Sequence, residues 1–342
     1  MVTKNIVNQP KSVVEISVTV PWADLEPKWN EALQHLTAEL ELPGFRKGQV
    51  PPAMAEQNLG TKLNDEFFKI VMPQALVEAL QGSNVVPIDY PKYQLVSFAK
   101  GQPLVFKALV TQKPQITVGN YKGIKVSKPA PKVITDEDVN KMIEEMFKRW
   151  KTRQPSVGTP VTPVSETPDD NFAKAVGALS LADLKTKLKA DLENEAKYNN
   201  ELDYEELILQ QVEAITTVDV PEILVTDELN RMLVQLQKRV ADMGLLLEDY
   251  LKGQNKTIES LKEEWKVQAE KNVKMELGLS EVARLEGVEV TDPELQAEVD
   301  KIQDARMKAQ FEQEEPRLHL KHSLRQIKTL DKLKTLVSNL AA

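Results

Sequence analysis

One short loop holds the residues best suited to specific binding. It runs from Pro43 to Pro51 and places Phe45, Arg46 and Lys47 among glycines and prolines. Because glycine permits left-handed turns and proline restrains the backbone, we expect these side chains to be exposed at a tip. Arginine and lysine suit phosphate oxygens, and an aromatic ring adds an apolar contact. The residues alone leave a second interpretation open, in which the loop is a plain turn and Phe45 lies in the core.

The motifs of common enzymes are missing from the sequence. It has no phosphate-binding glycine loop, dinucleotide fingerprint, nucleophile elbow or His-Glu-x-x-His zinc motif, and it has no cysteine. Its histidines are His35, His319 and His322. His319 and His322 could hold a metal together with nearby glutamates, but a site needs three or four convergent ligands, so the pattern favours a solvated helix face. We expect no catalytic residue, metal or cofactor.

The elements around the loop are predicted by hydrophobic periodicity. Alternation from Ser12 to Val20 predicts a half-buried strand, and apolar residues spaced by three or four from Trp22 to Leu40 predict an amphipathic helix. A second helical stretch reaches about Leu80 and is bent by Pro73. Three extended segments then follow, at Val85 to Ile88, Tyr93 to Phe98 and Leu104 to Thr111. Residues 1–113 are therefore predicted to form an α+β domain in which an antiparallel sheet covers helices.

The rest of the chain is predicted to contain an arm, a linker and an all-α domain. Residues 114–151 alternate briefly and then form a short helix capped at Thr135, which we interpret as an exposed arm rather than a core. Residues 152–168 are rich in Pro, Thr and Ser and have no period, as an extended linker would. Residues 169–342 carry repeated helical stripes of apolar residues. The predicted architecture is multi-domain and elongated.

Charge is distributed unevenly along the chain. Residues 1–113 are neutral, 114–167 carry +3 and 168–342 carry −11, for a net charge of −8. A protein that binds nucleic acid along its whole length would not carry this balance, so RNA contact must be local and confined to the first half. No apolar run approaches the roughly 18 residues of a membrane span, and the start lacks a signal-peptide pattern. We expect a cytoplasmic protein with no membrane partner.

The stretch Gly-Phe-Arg-Lys-Gly-x-Val-Pro at 44–51 resembles the trigger factor family of bacterial ribosome-associated chaperones. The resemblance extends to the arm from Gln115 to Trp150 and to the helical region from about Asp170 to Leu340, including Val218-Asp-Val-Pro-Glu222. It implies that Gly44, Phe45, Arg46 and Lys47 form a docking tip beside the polypeptide exit tunnel, touching a ribosomal protein and large-subunit RNA. It also implies an ATP-independent chaperone whose C-terminal helices shelter nascent chains in a cradle, with a possible homodimer when free.

The sequence departs from the family in one respect. Typical members carry an FK506-binding-type prolyl isomerase domain between the arm and the C-terminal domain, where this chain has only residues 152–168. So short a segment cannot close a pocket around proline, and we predict that isomerase activity is absent. Two alternatives stay open: a prolyl isomerase with an unrecognised active site, and a soluble adaptor that binds one defined partner.

Unfolded chains expose apolar side chains, and a partly apolar surface with adaptable residues can hold many of them weakly. Leucine and methionine at helical spacing are more often core residues. The three consecutive leucines are the best candidates, because they cannot all face one side of a helix. The candidate client-binding residues are Met232, Met243, Leu245, Leu246, Leu247, Met275 and Met307.

Overall fold

A computed structural model describes residues 2–153 and 166–341, so most of the linker predicted at 152–168 lies outside the described residues. The strands are β1 (Thr3–Gln9), β2 (Val13–Val20), β3 (Lys92–Ser97), β4 (Leu104–Thr111), β5 (Ile116–Val118) and β6 (Thr216–Val218). The α-helices are α1 (Trp22–Glu39), α2 (Pro52–Leu59), α3 (Thr61–Leu80), α4 (Asp136–Arg153), α5 (Asp170–Ala175), α6 (Leu181–Ile215), α7 (Glu222–Asp242), α8 (Leu247–Gly253), α9 (Ile258–Leu285), α10 (Asp292–Asp300), α11 (Ala305–Gln310) and α12 (Glu314–Ala341).

The chain divides into two compact units that interleave along the sequence. The first unit comprises Met1–Thr117 and Thr216–Gly278, and the second comprises Val118–Ile215 and Leu279–Ala342. These units are defined by contacts within the chain. The domain boundaries that we place at 113, 151 and 168 from composition remain a prediction.

The first unit contains an antiparallel sheet in the order β1-β2-β4-β3. The alternation of β2 buries Val14, Ile16 and Val18 completely, and Phe106 and Ala108 of β4 lie on the same inner face. Burying each large aliphatic side chain contributes about 1.5–3 kcal/mol, so this face anchors the unit. The predicted strand and the α+β class are confirmed.

Helices α1 and α3 pack in the same hydrophobic core as the inner face of this sheet. Trp29 of α1 and Phe67 of α3 are buried there, with ring centroids 5.2 Å apart. The helix predicted to run to Leu80 is in fact interrupted at Gly60, whose φ of 47° is left-handed. The extended segment predicted at 85–88 forms only an isolated bridge, between Pro87 and Gln112, since proline cannot donate to a ladder.

The later segment of the first unit packs around α7 and α9. Val225, Leu229, Ala269 and Val273 form a small buried cluster. The β1–β2 turn also contacts this segment, because Ser12 donates from its backbone N–H to Asp219 Oδ2 at 3.0 Å and from its hydroxyl to the Asp219 carbonyl at 2.6 Å. These bonds tie the first sheet to the segment that leads into α7.

A correction concerns α4, which the sequence led us to interpret as an exposed arm. Val139, Ile143 and Phe147 are buried, and they form a core in the second unit with Phe172 of α5 and Leu184 of α6. The three α4 residues recur every four positions and therefore share one helix face. Acidic and basic residues make up most of the rest of the helix, and this polar majority concealed a narrow apolar stripe.

The second unit has another core around α6, α9 and α12, centred on Ile208, Val282 and Leu333. The turn at Tyr121–Gly123 packs against this core through Glu286. This carboxylate accepts a hydrogen bond from the Tyr121 hydroxyl at 2.8 Å and pairs with Lys122 at 3.0 Å and Lys332 at 2.8 Å. The hydrogen bond from Lys332, followed by those from Lys122 and Tyr121, lowers the pKa of Glu286 to about 2.

Candidate functional site

The loop that follows α1 is built from two tight backbone turns. The Phe45 N–H donates to the Leu42 carbonyl at 3.0 Å, and the Gln49 N–H donates to the Arg46 carbonyl at 2.9 Å. Gly44 and Gly48 have φ values of 90° and 78°, which residues with a side chain rarely adopt. The two glycines thus allow the chain to reverse twice within a few residues.

The ends of this loop are held while its middle is exposed. Leu42 packs partly against the first core, and Val50 is buried in it. Phe45 is 37% exposed, and Arg46 and Lys47 are also exposed. The exposure of Phe45 argues against the alternative in which its ring fills the core. We name residues 44–47 the docking loop.

Neither cation of the docking loop is engaged within the described part of the chain. No ion pair or side-chain hydrogen bond joins Arg46 or Lys47 to a residue that the structure describes, whereas Lys100 of the same unit pairs with Glu56 at 2.7 Å. Two unengaged cations beside an exposed ring can bind phosphate oxygens and an apolar surface together. This arrangement supports a binding role for Phe45, Arg46 and Lys47, which remains a prediction.

The candidate client-binding residues do not form one group. Met243, Leu245 and Leu246 are 61%, 48% and 71% exposed in the connection between α7 and α8, which we name the apolar loop. Leu247, the third predicted leucine, begins α8 and is half-buried. Helix α8 starts at Leu247, so the chain changes from a loop to a helix within the three leucines. As a result, only Leu245 and Leu246 are exposed to solvent.

The remaining candidates differ in position and exposure. Met232 of α7 packs against the small cluster of the first unit and is half-buried, as is Met275 of α9. Met307 lies on α11 of the second unit and is 53% exposed. Val234 and Val267 are more exposed than any of these three, at 64% and 65%, and neither was predicted as a client-binding residue. Val267 lies between Lys266 and Gln268, and Val234 adjoins the buried stripe of α7, so hydrophobic periodicity does not mark either one as exposed.

The histidines form no metal centre among the residues that the structure describes. There, no group of three or more histidine, aspartate or glutamate side chains is arranged to hold a metal ion. His319 and His322 are exposed on α12, and His35 Nδ1 lies 3.7 Å from Glu66 Oε1. Over the same residues, no helix is long and apolar enough to cross a membrane.

Comparison with known proteins finds family models that match both halves of the chain. The model of the bacterial trigger factor protein (TF) matches residues 2–146, and that of its C-terminus matches residues 180–335. The chain belongs to the trigger factor family. It is therefore a ribosome-associated chaperone.

Curated relatives match this chain over most of its length. Trigger factor of Macrococcus caseolyticus (strain JCSC5402) is 27% identical over 375 residues, which cover 84% of this chain and 88% of the relative. Trigger factor of Carboxydothermus hydrogenoformans (strain ATCC BAA-161 / DSM 6008 / Z-2901) is also 27% identical, over 85% of this chain and 88% of the relative. Because 375 exceeds the 342 residues of this chain, the aligned span of the first relative includes residues that this chain lacks.

A solved structure supports the fold. That structure concerns promiscuous substrate recognition in the folding and assembly activities of the trigger factor chaperone. It matches with a TM-score of 0.61 over 98% of this chain and 100% of that chain. At 16% sequence identity this likeness concerns the fold alone. It agrees with the predicted α+β and helical architecture.

Proposed function

We propose that this chain docks beside the polypeptide exit tunnel through Phe45, Arg46 and Lys47, which contact a ribosomal protein and large-subunit RNA. The observation that carries the proposal is the exposure of these three side chains on a loop whose ends are anchored, with both cations unengaged among the described residues. A local cationic tip can meet RNA while the acidic remainder of the chain is repelled by it.

Cosedimentation with ribosomes tests this docking. The variant Phe45→Ala/Arg46→Ala/Lys47→Ala should bind at least about tenfold more weakly, because it loses two phosphate contacts and one apolar contact. The matched control is Lys62→Ala/Lys92→Ala, which removes two exposed cations of the first unit outside the docking loop. Equal loss in both variants would assign the effect to net charge, and unchanged binding of the triple variant would defeat the docking assignment.

The chain holds nascent or unfolded polypeptides at exposed apolar surfaces without ATP or another cofactor. The apolar loop supports this part of the proposal, since Met243, Leu245 and Leu246 offer adaptable apolar contacts that need no particular client sequence.

The protein works in the cytoplasm, where nascent chains emerge, and forms a homodimer when it is free of ribosomes.

The chain has no prolyl isomerase activity of its own. The segment between the two family matches, 147–179, is far shorter than an isomerase domain of about one hundred residues. Refolding of a protein limited by proline isomerisation should proceed at its uncatalysed rate when this chain is added in catalytic amounts. Any acceleration that persists after removal of contaminating isomerases would contradict this.

A further inference from the structure

The two edges of the first sheet differ in chemistry. Strand β1 forms one edge with the mostly polar sequence Thr3-Lys-Asn-Ile-Val-Asn-Gln9. The other edge is formed by β3 together with the bridge at Pro87, and its exposed apolar residues are Val86, Ile88, Tyr90, Tyr93, Leu95 and Val96. In the described part of the chain no strand pairs with the outer side of β3.

A groove runs beside this apolar edge. Tyr93 and Leu95 pair with Ala108 and Phe106, which lie on the buried face of the sheet, so both side chains project toward the helix side. Tyr93 lines a cavity of about 470 Å³ with Asp65, Phe68, Lys69, Met72 and Pro73 of α3. The groove therefore has an apolar floor, and its rim carries one acidic and one basic residue.

We infer that β3 receives one extended segment of an unfolded polypeptide as an additional strand. Such a strand would satisfy the outer N–H and C=O groups of β3 and would direct every second side chain into the groove beside Tyr93 and Leu95. Main-chain pairing tolerates many sequences, and the balanced rim selects for neither charge. The inference rests on the proposed chaperone function and adds a second, strand-like mode of client binding to it.

The geometry of the edge favours a transient client over a second copy of this chain. At about 3.3 Å per residue, six residues span only about 20 Å. Pro91 precedes the strand, and the pairing register shifts between Leu95 and Ser97. Strand pairing along so short an edge buries much less surface than the roughly 1,000 Å² that a stable interface needs. Proline, lysine and bulges are also the devices that protect edges against permanent pairing.

Binding of a labelled peptide to the full chain tests the inference. The probe is a peptide of about ten residues with valine at alternate positions, threonine between them and a lysine at each end, followed by fluorescence anisotropy. We expect Leu95→Lys to weaken binding about fivefold, because it places a charge beside the groove, on the face of β3 that carries Tyr93. The matched control is Val7→Lys on β1, a residue of similar exposure (49% against 44%), and it should change binding less than about twofold.

A second peptide separates strand addition from ordinary apolar contact. N-methylation of alternate residues removes the donors along one edge of the peptide and leaves its side chains unchanged, so this peptide should bind at least about fivefold more weakly. Hydrogen exchange should show new protection of the amides in 92–97 on binding of the first peptide, and none in 3–9. Equal binding of the two peptides, or protection only elsewhere, would overturn the inference.

Two further controls keep the result unambiguous. If Leu95→Lys fails to fold, as judged by circular dichroism, Leu95→Thr retains strand propensity and serves in its place. If sedimentation shows a dimer that Leu95→Lys or Leu95→Thr dissociates, the outer edge of β3 is occupied by a second copy of this chain and the inference is wrong. Failure at β3 while the chain still suppresses client aggregation would reject the inference and leave the proposed function intact.

Discussion

Two loops of the first unit use similar backbones for different chemistry. Both follow a long helix and both contain a glycine in the left-handed region, with φ of 90° at Gly44 and 75° at Gly244. The docking loop exposes one ring and two cations, whereas the apolar loop exposes Met243, Leu245 and Leu246. The same kind of backbone turn thus presents charged side chains in one loop and apolar side chains in the other.

Reversing the charge of the docking loop should separate ribosome binding from client binding more than any other change. Arg46→Glu/Lys47→Glu should lower ribosome affinity more than about tenfold. Each substitution removes a contact between a cation and phosphate, and the new carboxylate also repels phosphate. Cosedimentation measures this loss. Suppression of client aggregation away from ribosomes should stay within about twofold of the parent. Parallel loss of both activities would show that the loops are not functionally distinct.

Removing the apolar side chains should have the opposite pattern. Met243→Ser/Leu245→Ser/Leu246→Ser should reduce the suppression of aggregation about threefold, because partly exposed residues contribute only part of their transfer free energy. Light scattering of a denatured client after dilution measures this. Val77→Ser on α3, at 62% exposure, is the single-site control. An equal effect of the control would mean that general surface apolarity, and not the apolar loop, binds clients.

Salt should distinguish the loops without any mutation. Ribosome binding should weaken severalfold between about 50 and 200 mM salt, because two phosphate contacts release their counterions. Client binding at the apolar loop should change little over that range, since apolar burial is not screened. Sedimentation and light scattering at matched salt concentrations compare the two. A client interaction with the steeper dependence would reverse the assignment.

The glycines should show smaller and local effects. Gly44→Ala and Gly244→Ala meet no atom within 4 Å of the added Cβ, so each should cost about 1 kcal/mol through backbone strain alone. Gly44→Ala should weaken ribosome binding, and Gly244→Ala should weaken client binding. Chemical denaturation gives the stability change. If Gly44→Ala weakened client binding and Gly244→Ala weakened ribosome binding, the proposed roles of the two loops would be wrong.

The turn at 121–123 provides a contrast, since the side chains of Tyr121 and Lys122 are bound by Glu286. Because the folded-state pKa of Glu286 lies at about 2, below its ordinary value, its stabilisation is present above about pH 4.5 and is lost as pH falls toward 2. Glu286→Gln should cost about 1 kcal/mol at pH 7 and progressively less below pH 4.5. Denaturation at several pH values checks this, and a constant difference would contradict it.

Sequence periodicity predicted those elements in which one face is buried. The strand at 13–20 and the helix from Trp22 alternate or repeat clearly because their buried residues all contact one core. Strand β1 escaped prediction because it lies at an edge and is mostly polar, so its register depends on pairing with β2. The stripe of α4 was visible at Val139, Ile143 and Phe147 but was outweighed by the surrounding charges.

The candidate site was predicted only in part for a similar reason. The docking loop follows from its composition, but whether Phe45 is exposed depends on which residues pack beside the loop, and the sequence does not specify them. The apolar edge at β3 was missed because exposed and buried strands share the same alternation. Only the sheet order shows that β3 lacks an outer partner among the described residues.

A photocrosslink from position 45 shows whether Phe45 touches the large ribosomal subunit. With benzoylphenylalanine in place of Phe45, irradiation of the ribosome-bound chain should join it to a protein or RNA of the large subunit. The same probe in place of Val77, which is more exposed, should give little product. Equal crosslinking from both positions, or none from position 45 in a chain that still cosediments with ribosomes, would contradict docking through Phe45.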